Sequence, residues 1–335
     1  MKISASLYSS KEKNLEDLVR DLDLHYIDKF HIDCNDDPSV FNDIRRIREI
    51  SSTPIDLHII SENPEQYFEN IQKYQIEYVQ VQFENLNHFV EFPRDDNTEF
   101  GVAILSDTSA DMLEPYRESC SFILLMTTTP GKSGGIFGRE NFSKIREVRN
   151  TYPGKRICVD GGVNAEVSFI LRNMGVDTIV SGSYLVNHDS VGAALLNMRT
   201  ENIHSHFLVQ DFMIGVDDIP VIKYEEATIP KVLQVIDDYN LGFTFYLDKS
   251  EKFHGLSSNA DVRKGLLKNL DDLGKTSVDQ IVNTDPVTID QDATIEEMLN
   301  IIKKQRFLVS FLPVIDKERN LMGAVTFFNL IRGEL

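Results

Sequence analysis

The sequence has no long hydrophobic run and few cysteines. No apolar stretch approaches the roughly 20 residues that a membrane-spanning helix needs, and the first residues contain no hydrophobic signal segment. The three cysteines, Cys34, Cys120 and Cys158, lack paired spacing, which indicates free thiols in a reducing compartment rather than a disulfide framework. We therefore expect a cytoplasmic protein without membrane spans.

Basic residues are also scarce. The 335 residues include 34 Lys and Arg against 53 Asp and Glu, so the formal net charge is −19. Nucleic-acid binding needs a basic face, and anionic membranes attract basic surfaces, so the charge argues against both kinds of partner. Hydrophobic residues make up 41% of the chain and charged residues 26%, which are ordinary values for a folded globular protein.

The first 200 residues alternate short apolar runs with longer stretches of helical spacing. Eight such units are the number that closes a (β/α)8 TIM barrel, and no G-x-G-x-x-G turn of a doubly wound sheet follows the first run. We therefore predict a barrel over 1–200, with helices that include NLNHFVEF after strand four and SADMLEPYRE after strand five. The predicted strands are KISASLY, KFHIDC, IDLHII, YVQVQF, FGVAIL, SFILLMT, RICVD and DTIVSGS.

The pattern changes after residue 200, where RTENIHSH indicates a linker over 201–210. The remainder, 211–335, contains an internal repeat with copies at about 211–275 and 276–335. Each copy has a Pro-Val pair before a strand, an Ala-Thr-Ile helix start and a hairpin that ends with a similar motif, over 255–261 and 323–329. Two small α+β units of this kind are expected to pack as a pseudo-symmetric pair, which indicates a regulatory or assembly module.

Four polar residues stand at the ends of predicted strands two, three and seven. They are His31, Asp33, His58 and Asp160. Active sites of (β/α)8 barrels lie at these C-terminal strand ends, and alternation puts His31 and Asp33 on the same side of their strand. Two imidazoles and two carboxylates suit Zn²⁺ best, with Fe²⁺, Mn²⁺ or Co²⁺ as alternatives. We therefore predict a divalent metal site on the barrel axis.

Glycine-rich loops follow predicted strands six, seven and eight. Backbone amides in such loops commonly hold a phosphate, and the loops after strands seven and eight are its usual place in this fold. The run PGKSGG over 130–135 matches the end of a P-loop, but Met126 stands where the first glycine is required, which excludes that motif. The residues predicted to form a phosphate cradle are Gly134, Gly161, Gly162, Gly182 and Ser183.

At these residues the barrel resembles the ribulose-phosphate 3-epimerase family, which is metal-dependent and interconverts D-ribulose 5-phosphate and D-xylulose 5-phosphate. The matching stretches are SASLYSS, HIDCND, IDLHII, LLMTTTPG, CVDGGVN and SGSYLV. The resemblance implies that the four strand-end residues bind the metal and that Asp33 and Asp160 also act as acid and base. It further implies substrate contacts by Ser6, Met126 and the glycine-rich loops.

Some positions depart from the family pattern. Asn35 and Ile60 replace two family methionines, and Gln82 stands where the family has a strand-four histidine. These changes alter the walls of the pocket, so another ketose phosphate is an alternative substrate, and a non-catalytic phosphosugar sensor is the alternative of a different class. The related orotidine and ketogulonate phosphate decarboxylases need a lysine at the position of Asn35, which excludes their chemistry.

The second domain resembles a tandem CBS (Bateman) pair, a module that commonly binds adenine nucleotides. The resemblance implies ligand contacts by Ser258 with Asp261 and by Thr326 with Asn329, although Asn329 replaces the more usual Asp. A nucleotide-free dimerisation module is the alternative. We expect a homo-oligomeric epimerase regulated by a nucleotide or a nucleotide-sugar.

Overall fold

The computed structural model describes residues 1–10, 13–131, 134–199, 206–306 and 309–328. Two compact units share these residues: one contains residues 1–199 and the other residues 206–328. Within the described ranges, no helix combines the length and the apolar character needed to cross a membrane.

The first unit is a closed barrel of eight parallel strands, in which each strand pairs with its sequence neighbours and the last pairs with the first. This confirms the predicted fold class and all eight predicted strands. The register sets Asp33 beside His58 and Met126 beside Asp160, so these side chains share the C-terminal end of the barrel. The strands are β1 Lys2–Ser6, β2 Lys29–Cys34, β3 Ile55–Ile59, β4 Tyr78–Gln82, β5 Glu99–Leu105, β6 Phe122–Met126, β7 Arg156–Asp160 and β8 Thr178–Ser181.

Helices follow most of the strands. The first helix, Leu15–Leu24, shows why they start where they do, since the Asn14 side chain accepts a hydrogen bond from the Asp17 amide and satisfies a free N–H of the first turn. The helices of this unit are α1 Leu15–Leu24, α2 Val40–Arg48, α3 Phe68–Tyr74, α4 Glu140–Thr151, α5 Ala165–Asn173, α6 Ser183–Val186 and α7 Val191–Arg199.

The prediction of a helix after β4 is wrong. Only a 3-10 turn at Phe83–Asn85 follows the strand, and the chain then runs irregularly to β5. In this irregular segment Val90 is buried and its amide donates a hydrogen bond to Tyr116 Oη at 3.1 Å, while Phe89 stacks on the Tyr116 ring. Tertiary contacts of this short aromatic segment outweigh its helical spacing. After β5, the predicted helix is a 3-10 helix at Ala110–Tyr116 that contains a proline.

The barrel interior differs from side to side. Toward β1 to β4 the buried side chains are polar, and Ser4, His31 and Asp56 are linked by hydrogen bonds. Toward β5 to β7 the interior is apolar, with a cluster made of Ala103, Phe122, Leu124, Met126 and Cys158. The polar half of the barrel interior can therefore hold charged side chains in a place that little water reaches.

The second unit has two sheets. One has the strand order β10 (Val221–Lys223), β11 (Phe243–Leu247), β12 (Phe253–Ser258), and the other has the order β13 (Ile289–Asp290), β14 (Phe311–Ile315), β15 (Leu321–Thr326), β9 (Ile214–Gly215). Each sheet contains an antiparallel hairpin with a short parallel strand beside it, which agrees with the predicted repeat. One core cluster joins Phe243 and Phe245 of the first repeat to Leu321 and Ala324 of the second. The helices of this unit are α8 Val209–Phe212, α9 Ile229–Tyr239, α10 Asn259–Leu267 and α11 Ile295–Lys303.

The predicted linker over 201–210 lies partly outside the described residues. Its last part belongs to the second unit, because Leu208 forms a bridge with Thr294 and Val209 is buried. The module therefore starts a few residues before α8.

Candidate active site at the barrel mouth

The four predicted metal ligands come together. One donor atom from each of His31, Asp33, His58 and Asp160 lies within 4.8 Å of the others. Strand β2 supplies the first two because residues two apart face the same side, while β3 and β7 supply one each. The rings of His31 and His58 are fully buried, so the group sits at the floor of the mouth.

The orientation of His31 is fixed by a residue behind it. Its Nδ1 lies 3.2 Å from Asp56 Oδ2, and Asp56 also accepts a hydrogen bond from Ser4 Oγ at 2.9 Å. Nε2 of the same ring then faces Asp33 Oδ1 at 3.4 Å and Asp160 Oδ2 at 3.6 Å. Burial lowers the pKa of His31, but the carboxylates of Asp33 and Asp56 outweigh it and hold the pKa well above its usual value.

His58 is held in a different way. Its Nε2 lies 2.8 Å from Gln82 Oε1, and its Nδ1 lies 3.2 Å from Asp33 Oδ1. The Gln82 amide is itself fixed, because its Nε2 donates to Glu84 Oε2. The two histidines thus present different ring nitrogens to the same centre, each set by the partner of the other nitrogen.

The two carboxylates at the centre have divergent acidities. Burial raises the pKa of Asp33, but the closely placed imidazole rings of His31 and His58, at 3.4 Å and 3.2 Å from its Oδ1, lower it far below the usual range. Burial raises the pKa of Asp160 to about 6, with the neighbouring charge of Asp33 acting in the same direction. Two carboxyl groups separated in this way can serve as a base and an acid at the same pH.

The donor set fits a divalent metal ion. His31 Nε2 is a buried polar atom without a hydrogen-bond partner among the described residues, and it faces two carboxylates. Imidazole nitrogens and carboxylate oxygens are ligands of Zn²⁺, Fe²⁺, Mn²⁺ and Co²⁺, and a cation here would satisfy the free nitrogen and neutralise both carboxylates.

A cavity of about 380 Å³ opens above Asp33 and Asp160. Met126, also predicted to contact substrate, is not among the lining residues; it is buried in the apolar cluster beside Cys158. The predicted substrate residues that line the cavity are Ser6, Gly134, Gly161, Gly162, Gly182 and Ser183.

Two of the lining glycines are required by geometry. Gly161 and Gly162 have φ values of +121° and +64°, which side chains rarely adopt. A Cβ at Gly162 would lie 2.3 Å from the backbone nitrogen of Phe137. No side chain therefore covers the backbone at these two positions, so its amide groups can approach a ligand in the cavity directly.

Asp56 has no predicted role, and Gln82 stands out in the sequence only as a departure from a family pattern. The signal for Asp56 is its position two residues before His58, in phase on the same strand, so it faces the same interior. The partner of Gln82 depends on the closure of the barrel, which brings β4 beside β3.

The second unit has its own cavity, of about 600 Å³, lined in part by Ser258, Asp261 and Lys264. Ser258 and Asp261 also form the capping box that starts α10. Thr326 ends β15 and does not line this cavity, and Asn329 lies outside the described residues.

The chain is similar to known proteins in both parts. The model of the ribulose-phosphate 3 epimerase family matches residues 2–186, and the CBS domain model matches residues 278–334. The ribulose-phosphate 3-epimerase of Bacillus subtilis is 26% identical over 213 residues, which cover 59% of this chain and 98% of that protein. The enzyme of that name from Methanocaldococcus jannaschii is 27% identical over 231 residues, 63% of this chain and 97% of that protein.

Among solved structures, the CBS-pair protein CBSX2 from Arabidopsis thaliana is similar at 19% identity and a TM-score of 0.33. The match covers 39% of this chain and 95% of that one.

Proposed function

Since the chain belongs to the ribulose-phosphate 3-epimerase family, a family of pentose-phosphate epimerases, we propose that it interconverts D-ribulose 5-phosphate and D-xylulose 5-phosphate. The observation that carries this proposal is the convergence of two histidines and two aspartates at the floor of the cavity. The CBS pair makes the enzyme a candidate for regulation through its second unit.

Asp33 and Asp160 are the acid and base of the proposed reaction. Both line the cavity, on strands separated in the barrel only by β1 and β8. The ionised carboxylate removes the proton from C3, beside the C2 carbonyl, and leaves an enediolate. The protonated carboxyl group then returns a proton to C3 on the other face, which inverts that carbon.

The neighbouring residues prepare this chemistry. Asp56 and Gln82 hold the two imidazole rings, so His31 and His58 keep their orientation while charge changes beside them. His31, Asp33, His58 and Asp160 would hold a divalent metal ion, which would supply electrostatic stabilisation of the negative charge that develops on the substrate oxygens.

The phosphate of the substrate is bound by the loops after β7 and β8. Gly161, Gly162 and Gly182 bring bare backbone to the cavity, and a Cβ at Gly182 would lie 2.5 Å from Ser9 Oγ. Backbone amides and the Ser183 hydroxyl are suitable donors for phosphate oxygens. When the phosphate is bound by these loops, C2 and C3 of the sugar remain free to reach the carboxylates of Asp33 and Asp160.

The test is proton exchange at C3 of ribulose 5-phosphate in deuterated buffer, followed by NMR with the metal-loaded full chain. We expect exchange together with formation of xylulose 5-phosphate. Asp33→Asn and Asp160→Asn should each slow both by about 100-fold or more, because each removes one proton-transfer group. Asp107→Asn, an exposed aspartate outside the cavity, is the matched control and should react at the wild-type rate.

The outcomes separate the alternatives. No exchange by protein with bound metal would reject ribulose 5-phosphate and favour another ketose phosphate. No exchange and no metal binding would favour a phosphosugar sensor. Exchange that survives in both aspartate variants would reject the two-carboxylate mechanism.

The second unit binds an adenine nucleotide in the cavity beside α10, which regulates the epimerase. Support comes from the size of this cavity and from its polar residues Ser258, Asp261 and Lys264. Titration calorimetry with AMP, ADP and ATP tests this on the full chain. Asp261→Ala should weaken nucleotide binding about tenfold or more, because it removes a hydrogen-bonding carboxylate from the cavity.

The control for loss of the helix cap is Glu297→Ala. Glu297 closes the capping box of α11 as Asp261 closes that of α10, and it lies outside this cavity. Equal effects of the two substitutions, or no nucleotide binding by the wild type, would reject the nucleotide site and favour a dimerisation module.

A further inference from the structure

A second cavity in the barrel unit lies at the end opposite to the metal group. Its volume is about 590 Å³, and it is lined by the first residues of four strands, Lys2 of β1, Lys29 of β2, Arg156 of β7 and Thr178 of β8. It shares no lining residue with the cavity above Asp33 and Asp160. Any ligand here would therefore bind apart from the substrate.

The charge of this cavity is opposite to that of the chain. Two acidic side chains line it, Asp28 and Asp177, and both already accept hydrogen bonds from backbone amides, of Ile3 at 2.9 Å and of Ile157 at 3.1 Å. In a protein with a net charge of −19, a concentration of cations in one concave surface is unusual. The six cationic lining residues are Lys2, Lys29, Arg149, Lys155, Arg156 and Arg172.

Several of these cations have a structural role. Arg149 and Arg172 lie in the last turns of α4 and α5, where cations are favoured, and donate to the carbonyl groups of Gly175 and Met198. Lys155 donates to a carbonyl at 2.6 Å, and Arg156 pairs with Glu99. Two helix ends, one backbone carbonyl and one ion pair thus account for four of the six cations.

Lys29 has no such explanation. Only 4% of the residue is exposed, yet among the described residues its ammonium group makes no hydrogen bond and no ion pair. Its Nζ lies 3.4 Å from the centroid of the Tyr78 ring, a contact that offsets part of the cost of burial. The Asp56 carboxylate is close enough to feel this charge but makes no ion pair with it, so the hydrogen-bonding capacity of the ammonium group is unused where it lines the cavity.

We propose that this cavity binds a phosphate group, either free or as the monoester of a small metabolite, with Lys29 as its deepest contact. Phosphate carries up to two negative charges and accepts several charge-assisted hydrogen bonds, which matches a buried ammonium surrounded by further cations. The volume is in the range of small-molecule sites, so a monoester also fits.

The test uses the full chain and two probes, inorganic phosphate and ribose 5-phosphate, in titration calorimetry. Lys29→Met removes the charge at similar length. We expect it to lose one phosphate site per chain, or to weaken that site about tenfold or more, as the loss of a charge-assisted hydrogen bond predicts. The matched control is Lys73→Met, an exposed lysine over the Tyr74 ring, which should bind like the wild type.

The two probes separate the two sources of the phosphate group. Tighter binding of ribose 5-phosphate that depends on Lys29 would assign the cavity to a monoester, and equal binding would assign it to phosphate alone. Phosphate binding at the barrel mouth does not depend on Lys29, so failure of the proposed reaction leaves this test intact. Identical titrations of the wild type and Lys29→Met would overturn the proposal.

Thermal unfolding distinguishes an anion site from a structural lysine. In phosphate-free buffer, Lys29→Met should unfold at about the same temperature as the wild type, since it removes a desolvated charge together with the attraction of that charge to Asp56. Phosphate should raise the unfolding temperature of the wild type and Lys73→Met by more than that of Lys29→Met. A lower unfolding temperature of Lys29→Met with an undiminished phosphate shift would overturn the proposal.

Discussion

Nδ1 of His31 donates a hydrogen bond to the carboxylate of Asp56 at 3.2 Å, and this directs Nε2 of the same ring toward Asp33 and Asp160. Asp56 is ionised at neutral pH, because hydrogen bonds from His31 and the charge of Lys29 outweigh its burial and hold its pKa at about 2. A residue that does not belong to the metal group therefore decides which nitrogen His31 offers to it.

This relationship predicts that Asp56→Asn weakens metal binding. The neutral amide holds the ring less firmly and leaves Nε2 a poorer ligand, so we expect a loss of about 10- to 100-fold in affinity for Mn²⁺ or Zn²⁺. Competition with a chelator measures it. Ser4→Ala, which removes only the 2.9 Å hydrogen bond to the same carboxylate, is the control and should have a smaller effect. Wild-type affinity in Asp56→Asn would contradict the role of Asp56.

The raised pKa of His31 predicts that metal binding releases a proton at pH 7. Without metal the ring keeps its proton, between Asp33 and Asp56, and it must lose that proton to become a ligand. Metal affinity should therefore rise with pH, most steeply below about pH 6, where Asp160 is also protonated in the metal-free protein. Titration calorimetry with Mn²⁺ in two buffers of different ionisation heat measures the proton.

The control for this measurement is His88→Asn, which removes an exposed histidine paired with Glu65. It should release as many protons as the wild type. Equal heats in the two buffers for the wild type would show that His31 is neutral before the metal arrives.

Much of this site follows from local sequence, and the remainder depends on closure of the barrel. His31, Asp33, His58 and Asp160 could be predicted because strand alternation and strand ends are visible in the sequence. The roles of Asp56 and Gln82 depend on contacts across neighbouring strands. The segment 85–92 has the spacing of a helix but is irregular, because its packing on Tyr116, 26 residues after Val90, has no local signal.

The backbone of the phosphate cradle can be tested at Gly162. Gly162→Ala would put a Cβ 2.3 Å from the Phe137 nitrogen, so the loop must shift. We expect kcat/KM for ribulose 5-phosphate to fall on the order of 100-fold, as a small displacement of a substrate-binding group can cause. Steady-state kinetics measure this effect.

Gly154→Ala is the matched control for left-handed backbone. Gly154 has a φ of +90°, and a Cβ there meets no atom within 4 Å. Both variants should lose roughly 1–2 kcal/mol of stability through the backbone conformation, but only Gly162→Ala should lose activity. Equal activity of the two variants would contradict the proposal that the backbone at Gly162 binds the substrate phosphate.

Two glutamines of β4 provide a last prediction, because the same substitution should affect metal binding at one of them and stability at the other. Gln82 accepts a hydrogen bond from His58 Nε2 at 2.8 Å, whereas the buried amide of Gln80 makes no hydrogen bond with any described residue. Gln82→Leu should weaken metal binding by about 10-fold or more, since it releases the His58 ring.

Gln80→Leu should leave metal affinity unchanged and raise the free energy of unfolding by about 1–3 kcal/mol, because it removes an unsatisfied polar group from the interior. Urea unfolding and chelator competition on both variants measure the two effects. A loss of stability in Gln80→Leu would mean that the Gln80 amide is hydrogen-bonded in solution. Unchanged metal affinity in Gln82→Leu would mean that His58 needs no partner on β4 to present Nδ1 to the metal.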